Sequence, residues 1–243
     1  GGAAACHGIA AVTGCCRCPI LPREGRICFE TGAFGMVISS SSPAVAARCA
    51  HARAGVGVAA TQNITDPTLG PRLLDAMGQG ASAAAAMADV VANAPHIDYR
   101  QLMCVDATGG TATHCGARIL GVWGLAEGPG VVAGGNLLAN PDVPRAMVDA
   151  FLAAPGALGD RLITALLAAR DAGGEAGPVH SAGLKIVDRL DWPLADLRCD
   201  WTDDCPIEAL ASLWDIYKPQ LAAYVQRALD PRAAPSYGVP GDE

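Results

Sequence analysis

The chain has 243 residues, 51% hydrophobic and 17% charged, a composition typical of a folded domain and unlike that of a disordered segment. Its 24 acidic residues outnumber the 17 basic ones, so the net charge is −7, and the electrostatic footprint that binds nucleic acid is missing. No apolar run approaches the roughly 20 residues that cross a bilayer, and no secretory signal is visible. The sequence therefore predicts a cytoplasmic protein without nucleic-acid or membrane partners.

The beginning of the chain differs from the rest. Five of the ten cysteines fall in the first 28 residues, and this part shows no clean hydrophobic period. We therefore set residues 1–27 apart as an atypical N-terminal segment and predict a single domain over residues 28–243.

The remaining elements follow from hydrophobic periodicity, helix caps and turn residues. In chain order they are a strand over 33–39, a helix over 43–55, a strand over 56–62, helices over 71–78 and 82–94, a hairpin of strands over 101–106 and 111–115, a strand over 130–138, helices over 143–154 and 158–172, strands over 183–188 and 195–201, and a last helix over 207–229 that Pro219 interrupts. Strands at both ends surround a helical middle. This order favours a mixed α/β or α+β fold with antiparallel hairpins over alternating βαβ units.

One cysteine pattern suggests a metal site. Cys6-His7 is followed by Cys15, Cys16 and Cys18, but structural zinc sites usually combine two pairs at short fixed spacing, and a second pair is missing. An unstructured extension is the favoured interpretation, and we expect neither a metal nor another cofactor.

The glycine-rich segment RAGVGVAATQN at residues 53–63 fits neither the phosphate-loop nor the GxGxxG spacing. Either it is a buried strand of small residues, or Thr61, Gln62 and Asn63 project polar groups from the strand end into a site. The residues leave both interpretations open. No GxSxG elbow is present, and a lone histidine is more often structural than catalytic.

Several blocks resemble the domain of unknown function 1028 family. They are residues 31–80, GVVAGGNLLANPDVPRAMVDAF at 130–151, GGEAGPVHSAGLKIV at 173–187, DLRCDW at 196–201 and PSYGVPGDE at 235–243. The resemblance covers about residues 28–243. It implies an α+β fold of the N-terminal-nucleophile (Ntn) hydrolase type, an αββα sandwich of two antiparallel sheets between helical layers. It also implies amide hydrolysis by an N-terminal Thr, Ser or Cys, whose own α-amine takes the proton.

The resemblance, together with polar residues at strand ends, assigns candidate site residues. Catalytic roles are expected for Asn136 as oxyanion donor, for Gly135, which leaves room for the substrate, and for Thr61. Expected substrate-binding residues are Ser39, Arg53, Gln62, His180, Ser181 and Arg198. Arg53 or Arg198 would hold a substrate carboxylate. The expected partners are a small amide or amino-acid derivative and a second copy of the chain in a homodimer.

The sequence departs from the family at the nucleophile. Family members begin with a strand of the kind Thr-Phe-Ser-Ile, and counting back from Gly32 places its Thr near Leu21. No Thr, Ser or Cys lies between Pro19 and Ile27. A wrong start or reading-frame error is the favoured explanation. The alternatives are cleavage before a cysteine such as Cys18 or Cys28, or a catalytically inactive binding or assembly protein on the same fold.

Overall fold

The computed structural model describes residues 9–13 and 32–241. Within these residues the fold is mixed α+β. The strands are β1 Ile9–Thr13, β2 Phe34–Ser40, β3 Ala50–Arg53, β4 Gly57–Asn63, β5 Arg100–Asp106, β6 Thr111–Cys115, β7 Gly124–Gly128, β8 Val131–Gly135, β9 Ser181–Val187 and β10 Ala195–Cys199. The helices are α1 Val45–Cys49, α2 Leu69–Gly78, α3 Ala83–Asn93, α4 Val143–Ala153, α5 Leu158–Asp171, α6 Pro206–Tyr217 and α7 Leu221–Leu229.

The strands form two antiparallel sheets. The larger sheet has the order β10-β9-β2-β1-β8-β7, and the smaller has the order β3-β4-β5-β6. One hydrophobic core lies between the sheets, a second between the larger sheet and helices α4 to α6, and a third between the smaller sheet and helices α2 and α3. The layers are therefore helix, sheet, sheet, helix.

Burial on both faces explains the composition of the central strands. All seven residues of β2 are buried. Because side chains alternate along a strand, Phe34, Met36 and Ile38 pack into the core between the sheets, whereas Val37 packs under the helices. A strand covered on both sides loses the polar and apolar alternation of a surface strand.

The helix predicted over 43–55 is shorter in the structure. It ends at Cys49, and residues 50–53 instead pair with β4 as the edge strand β3, from Ala50 opposite Ala60 to Arg53 opposite Gly57. An Ala-rich stretch has high helix propensity, but pairing with a neighbouring strand outweighs it here. Strand β7 was not predicted, because its sequence GLAEG carries no strand pattern.

Two predicted helix boundaries are confirmed. The Ser82 hydroxyl accepts a hydrogen bond from the Ala85 N–H at 3.2 Å and so caps α3, as its position before an Ala-rich run predicts. The last predicted helix is broken at Pro219 by a 3₁₀ turn over Lys218–Gln220, which separates α6 from α7.

Strand β1 comes from the segment that the sequence analysis set apart. It lies in the middle of the larger sheet, where Ile9 pairs with Ser39 of β2 on one side and with Gly135 of β8 on the other. Several sequence predictions fall outside the described residues, namely the position near Leu21 and those on Cys6, His7, Cys15, Cys16, Cys18 and Cys28. In the described part of the chain, no His, Cys, Asp or Glu side chains are grouped to hold a metal ion. No helix there is both long and apolar enough to cross a membrane.

Candidate functional site

Three buried carboxamides meet at the edge of the sandwich where β1 begins. Gln62 is near the end of β4, Gln101 is opposite it near the start of β5, and Asn136 directly follows β8. All three side chains are fully buried. We call these three residues the amide cluster. It joins the two sheets, because Asn136 belongs to one side of the sandwich and both glutamines to the other.

Gln101 is the centre of the amide cluster. Its Oε1 accepts hydrogen bonds from Gln62 Nε2 at 2.7 Å and from Asn136 Nδ2 at 3.2 Å, and its Nε2 donates to the Gly135 carbonyl at 3.1 Å. Gln62 Nε2 donates its second proton to the Gly134 carbonyl at 3.2 Å. Such connected buried bonds restrict each amide to one orientation.

The carbonyl oxygen of the Gln62 side chain is an unused acceptor of the cluster. Gln62 Oε1 has no hydrogen-bond partner within the described structure, although the atom is buried. A buried polar atom without a partner costs about 1–3 kcal/mol, which makes this oxygen a natural acceptor for the N–H group of a ligand or for a water molecule.

Strand alternation decides which polar residue of β4 reaches the cluster. Val58 and Ala60 pack between the sheets, so Gln62, two residues further on, points the same way. Thr61 faces the opposite side, where its hydroxyl donates to the Asp66 carbonyl at 3.1 Å. The structure therefore brings Gln62 to the cluster and leaves Thr61 in a loop contact.

Close approach of the two sheets requires Gly134. A Cβ atom at this position would lie 2.6 Å from a methyl group of Leu125 and 2.7 Å from the sulfur of Met103, which belongs to the facing sheet. Only a glycine lets the strands approach this closely. Its small size also exposes the carbonyl oxygen to Gln62.

The thiol of Cys115 adjoins the cluster. Gln101 Nε2 donates its other proton to Cys115 Sγ at 3.2 Å. Burial raises the pKa of this thiol, and the hydrogen bond from Gln101 lowers it by less. The thiol is therefore protonated at neutral pH and unsuited to be a nucleophile without activation. The amide cluster and this thiol are therefore joined by a hydrogen bond between neutral groups.

Ser39 flanks β1, but on the other face of the larger sheet. It lies two residues after Val37 and so points toward the helices, whereas the amide cluster lies between the sheets. The side chain is fully buried, and its hydroxyl has no partner within the described residues.

Ser181 has a structural role. Its hydroxyl donates to the Ser42 carbonyl at 2.6 Å and accepts from the N–H of Val45, the first residue of α1, at 3.2 Å. The hydrogen bonds of this hydroxyl therefore hold the turn between β2 and α1.

His180 lies at the same edge of the larger sheet, beyond β2. Its N–H donates to the Ser40 carbonyl, its Nδ1 donates to the Thr202 carbonyl at 2.8 Å, and its ring stacks on Trp201 with 4.2 Å between centroids. These contacts hold the imidazole in one orientation.

The two predicted arginines lie elsewhere. Arg53 pairs with Asp75 at 2.7 Å at the other end of the smaller sheet, opposite Gly57. Gln62 lies five positions after Gly57 in β4, which corresponds to a distance of about 17 Å along the strand. Arg198 is paired with Asp200 at 3.4 Å on the surface. The structure does not bring either guanidinium to the amide cluster.

Sequence reasoning missed Gln101 and Glu175. Gln101 was included only in a predicted strand, although a Gln at the start of an apolar strand is an unusual choice that pattern analysis can flag. Glu175 is 7% exposed, and its carboxylate accepts the Ser41 N–H at 3.3 and 3.4 Å. No local signal marks this contact, since the two residues are 134 positions apart.

The comparisons with known proteins concern the fold and the family. The crystal structure of protein SPO2555 from Silicibacter pomeroyi, described as a member of DUF1028, is similar with a TM-score of 0.76 and 26% identity, covering 87% of this chain and 89% of that chain. No curated protein matches the chain. The model of the family of unknown function DUF1028 matches residues 26–210, most of the sequence. The chain belongs to the DUF1028 family.

Proposed function

We propose that the protein is an Ntn-type amidohydrolase that acts on a small amide or amino-acid derivative. The observation that carries the proposal is the place where β1 begins. Ile9 lies between Ser39 and Gly135, and the next residue after Gly135 is Asn136 of the amide cluster. In an Ntn hydrolase, the nucleophile precedes a central strand of a two-sheet sandwich. The helix, sheet, sheet, helix layers support the same assignment.

The amide cluster suits the chemistry of amide hydrolysis. A nucleophile attacks the substrate carbonyl while its α-amine accepts the proton, and an oriented donor stabilises the oxyanion. The α-amine then gives this proton to the leaving amine, and water hydrolyses the resulting acyl-enzyme to release the acid and restore the nucleophile. Asn136 is the proposed oxyanion donor, and the bond to Gln101 fixes the orientation of its amide. Gln62 Oε1 is the proposed acceptor for the substrate amide N–H.

The position of β1 argues against a nucleophile at Cys18 or Cys28. Cleavage before Cys18 or Cys28, the sites considered from the sequence, would separate β1 from the rest of the chain. Cys6, three residues before Ile9, is the Ser, Thr or Cys that most closely precedes β1. We therefore propose Cys6, exposed by removal of the preceding residues, as the nucleophile.

The first test is the intact mass and N-terminal sequence of the untagged protein made from its own gene. We expect a mature N-terminus at Cys6. A mature chain that keeps the residues before Cys6 would refute the nucleophile and favour the alternative, a catalytically inactive binding or assembly protein. Light scattering on the same sample tests the proposed homodimer.

The second test measures ammonia release from a panel of primary amides. Cys6→Ala should abolish the release, and Asn136→Ala should lower kcat by roughly 10²–10³ with a small effect on KM. Asn93→Ala is the matched control, because the Asn93 amide bonds to its own exposed helix. Unchanged turnover in Asn136→Ala would remove its oxyanion role.

A further inference from the structure

Residues 117–123, which we call the site loop, connect β6 to β7 and contact both sides of the amide cluster. The Leu120 N–H donates to Asn63 Oδ1 at 3.2 Å, and the Leu120 carbonyl accepts from the Leu137 N–H at 3.1 Å. Asn63 directly follows Gln62, and Leu137 directly follows Asn136. The main chain of one loop residue is therefore bonded to the neighbours of two cluster residues.

Asn63 and Leu137, the two residues bonded to Leu120, both have a left-handed backbone conformation. Asn63 has φ 76° and Leu137 has φ 52°, a conformation that leucine rarely adopts. Strained residues of this kind persist only where their surroundings hold them, and they concentrate at functional sites. The site loop holds Asn63 and Leu137 in this conformation. A Cβ atom at Gly121 would lie 2.5 Å from a methyl group of Leu137 and 3.1 Å from its Cα.

The site loop exposes three large apolar side chains to solvent. Leu120 is 36%, Val122 45% and Trp123 46% exposed, within four consecutive residues. The backbone is anchored, because the Arg118 N–H donates to the Asp98 carbonyl at 2.8 Å and the Val122 carbonyl accepts the Leu138 N–H at 2.8 Å. A fixed loop that exposes three large apolar side chains to water is typical of a binding surface.

We propose that the site loop determines substrate specificity. Its main chain positions Gln62 and Asn136, while Leu120, Val122 and Trp123 bind an apolar group attached to the substrate amide. The inference rests on the proposed function and names its substrate class, which is amides of apolar amino acids or acyl groups rather than small polar amides. The main-chain hydrogen bonds that join Leu120 to Asn63 and Leu137 link the loop to the amide cluster, and this link favours a substrate over a second copy of the chain as the occupant.

Binding can be tested by ¹⁹F NMR on the full chain labelled with 5-fluorotryptophan. The sequence has four tryptophans, and each resonance is assigned with a Trp→Phe variant. N-acetyl-leucinamide should shift the Trp123 resonance saturably. Trp192, which is 41% exposed, serves as the internal control and should not respond. N-acetyl-glycinamide should bind at least roughly tenfold more weakly, because it lacks the apolar side chain.

Three results would overturn the proposal. They are a silent Trp123 resonance, equal affinity for the two amides, and a Trp123 shift that follows protein concentration instead of probe, which would indicate a second copy of the chain. Leu120→Ala keeps the main-chain bonds and should weaken binding of N-acetyl-leucinamide while N-acetyl-glycinamide binding stays unchanged.

The experiment separates this inference from the proposed function. The titration is done on Cys6→Ala, so it reports binding without turnover. If the mature chain lacks an N-terminal nucleophile and Trp123 still responds, the hydrolase assignment fails and the specificity loop stands. If amides are hydrolysed and Trp123 does not respond, the hydrolase assignment stands and the specificity loop fails.

Discussion

Replacement of Gln101 by methionine is the sharpest test of the amide cluster. The two side chains have similar volumes, so the change removes hydrogen bonds while creating little cavity. It deprives one N–H of Gln62 and one of Asn136 of their acceptor, and it removes the donor to the Gly135 carbonyl. Both orphaned N–H groups would remain buried between the sheets.

The magnitude follows from these two donors. Each buried donor without an acceptor costs about 1–3 kcal/mol, so Gln101→Met should lower the free energy of unfolding by about 2–6 kcal/mol. Folded domains are typically stable by about 5–15 kcal/mol. A single neutral substitution is therefore expected to remove a large fraction of the total stability.

Urea unfolding at pH 7 measures this loss, with fluorescence and circular dichroism followed together to check two-state behaviour. Gln79→Met is the control, because Gln79 is exposed at the end of α2 and should change stability by less than about 0.5 kcal/mol. A double-mutant cycle with Gln62→Met should give a coupling energy of about 0.5–3 kcal/mol. A loss below about 1 kcal/mol for Gln101→Met would refute the reasoning, since it would mean that the donors reach water.

Further predictions concern stability. Burial favours a higher pKa for Asp106, but hydrogen bonds from three main-chain N–H groups and the Thr108 hydroxyl lower it below its ordinary value. A depressed folded-state pKa stabilises the fold above the unfolded pKa, about 3.9, and this stabilisation is lost as the pH falls through the folded pKa. Urea midpoints of wild type and Asp106→Asn should therefore differ most near pH 7 and converge below about pH 4; a difference independent of pH contradicts this. Gly159→Ala places a Cβ 2.2 Å from the Trp214 ring and should cost about 1–3 kcal/mol in thermal unfolding. Gly177→Ala, with no atom within 4 Å, is the control, and equal melting temperatures for the two variants would show that Trp214 moves aside.

Much of the fold was predictable because it depends on local patterns. The apolar strand after Gly32 and the Ser82 cap were confirmed, as was the break at Pro219. Each depends on the conformational preference or hydrogen bonding of residues close in the chain. The errors occur where pairing with another strand determines the secondary structure. In β3, pairing with β4 ends an Ala-rich helix after five residues.

The site was predictable only in part. Gln62 and Asn136 were identified as candidate site residues and meet in the amide cluster, but Gln101, which joins them, was missed. Thr61 was grouped with Gln62, since both are polar residues at one strand end. Only the direction of the two side chains separates them, and that direction depends on which face of β4 meets the other sheet.

The sequence by itself determined the family, the order of most elements and the polar strand ends, because these follow from hydrophobic period, caps and blocks of residues. The tertiary structure alone decided that β1 occupies the centre of the larger sheet and that Arg53 lies about 17 Å from Gln62 along β4. Sheet pairing joins residues far apart in the chain, such as Ile9 and Gly135. Its register depends on packing of the whole core, which no local segment encodes.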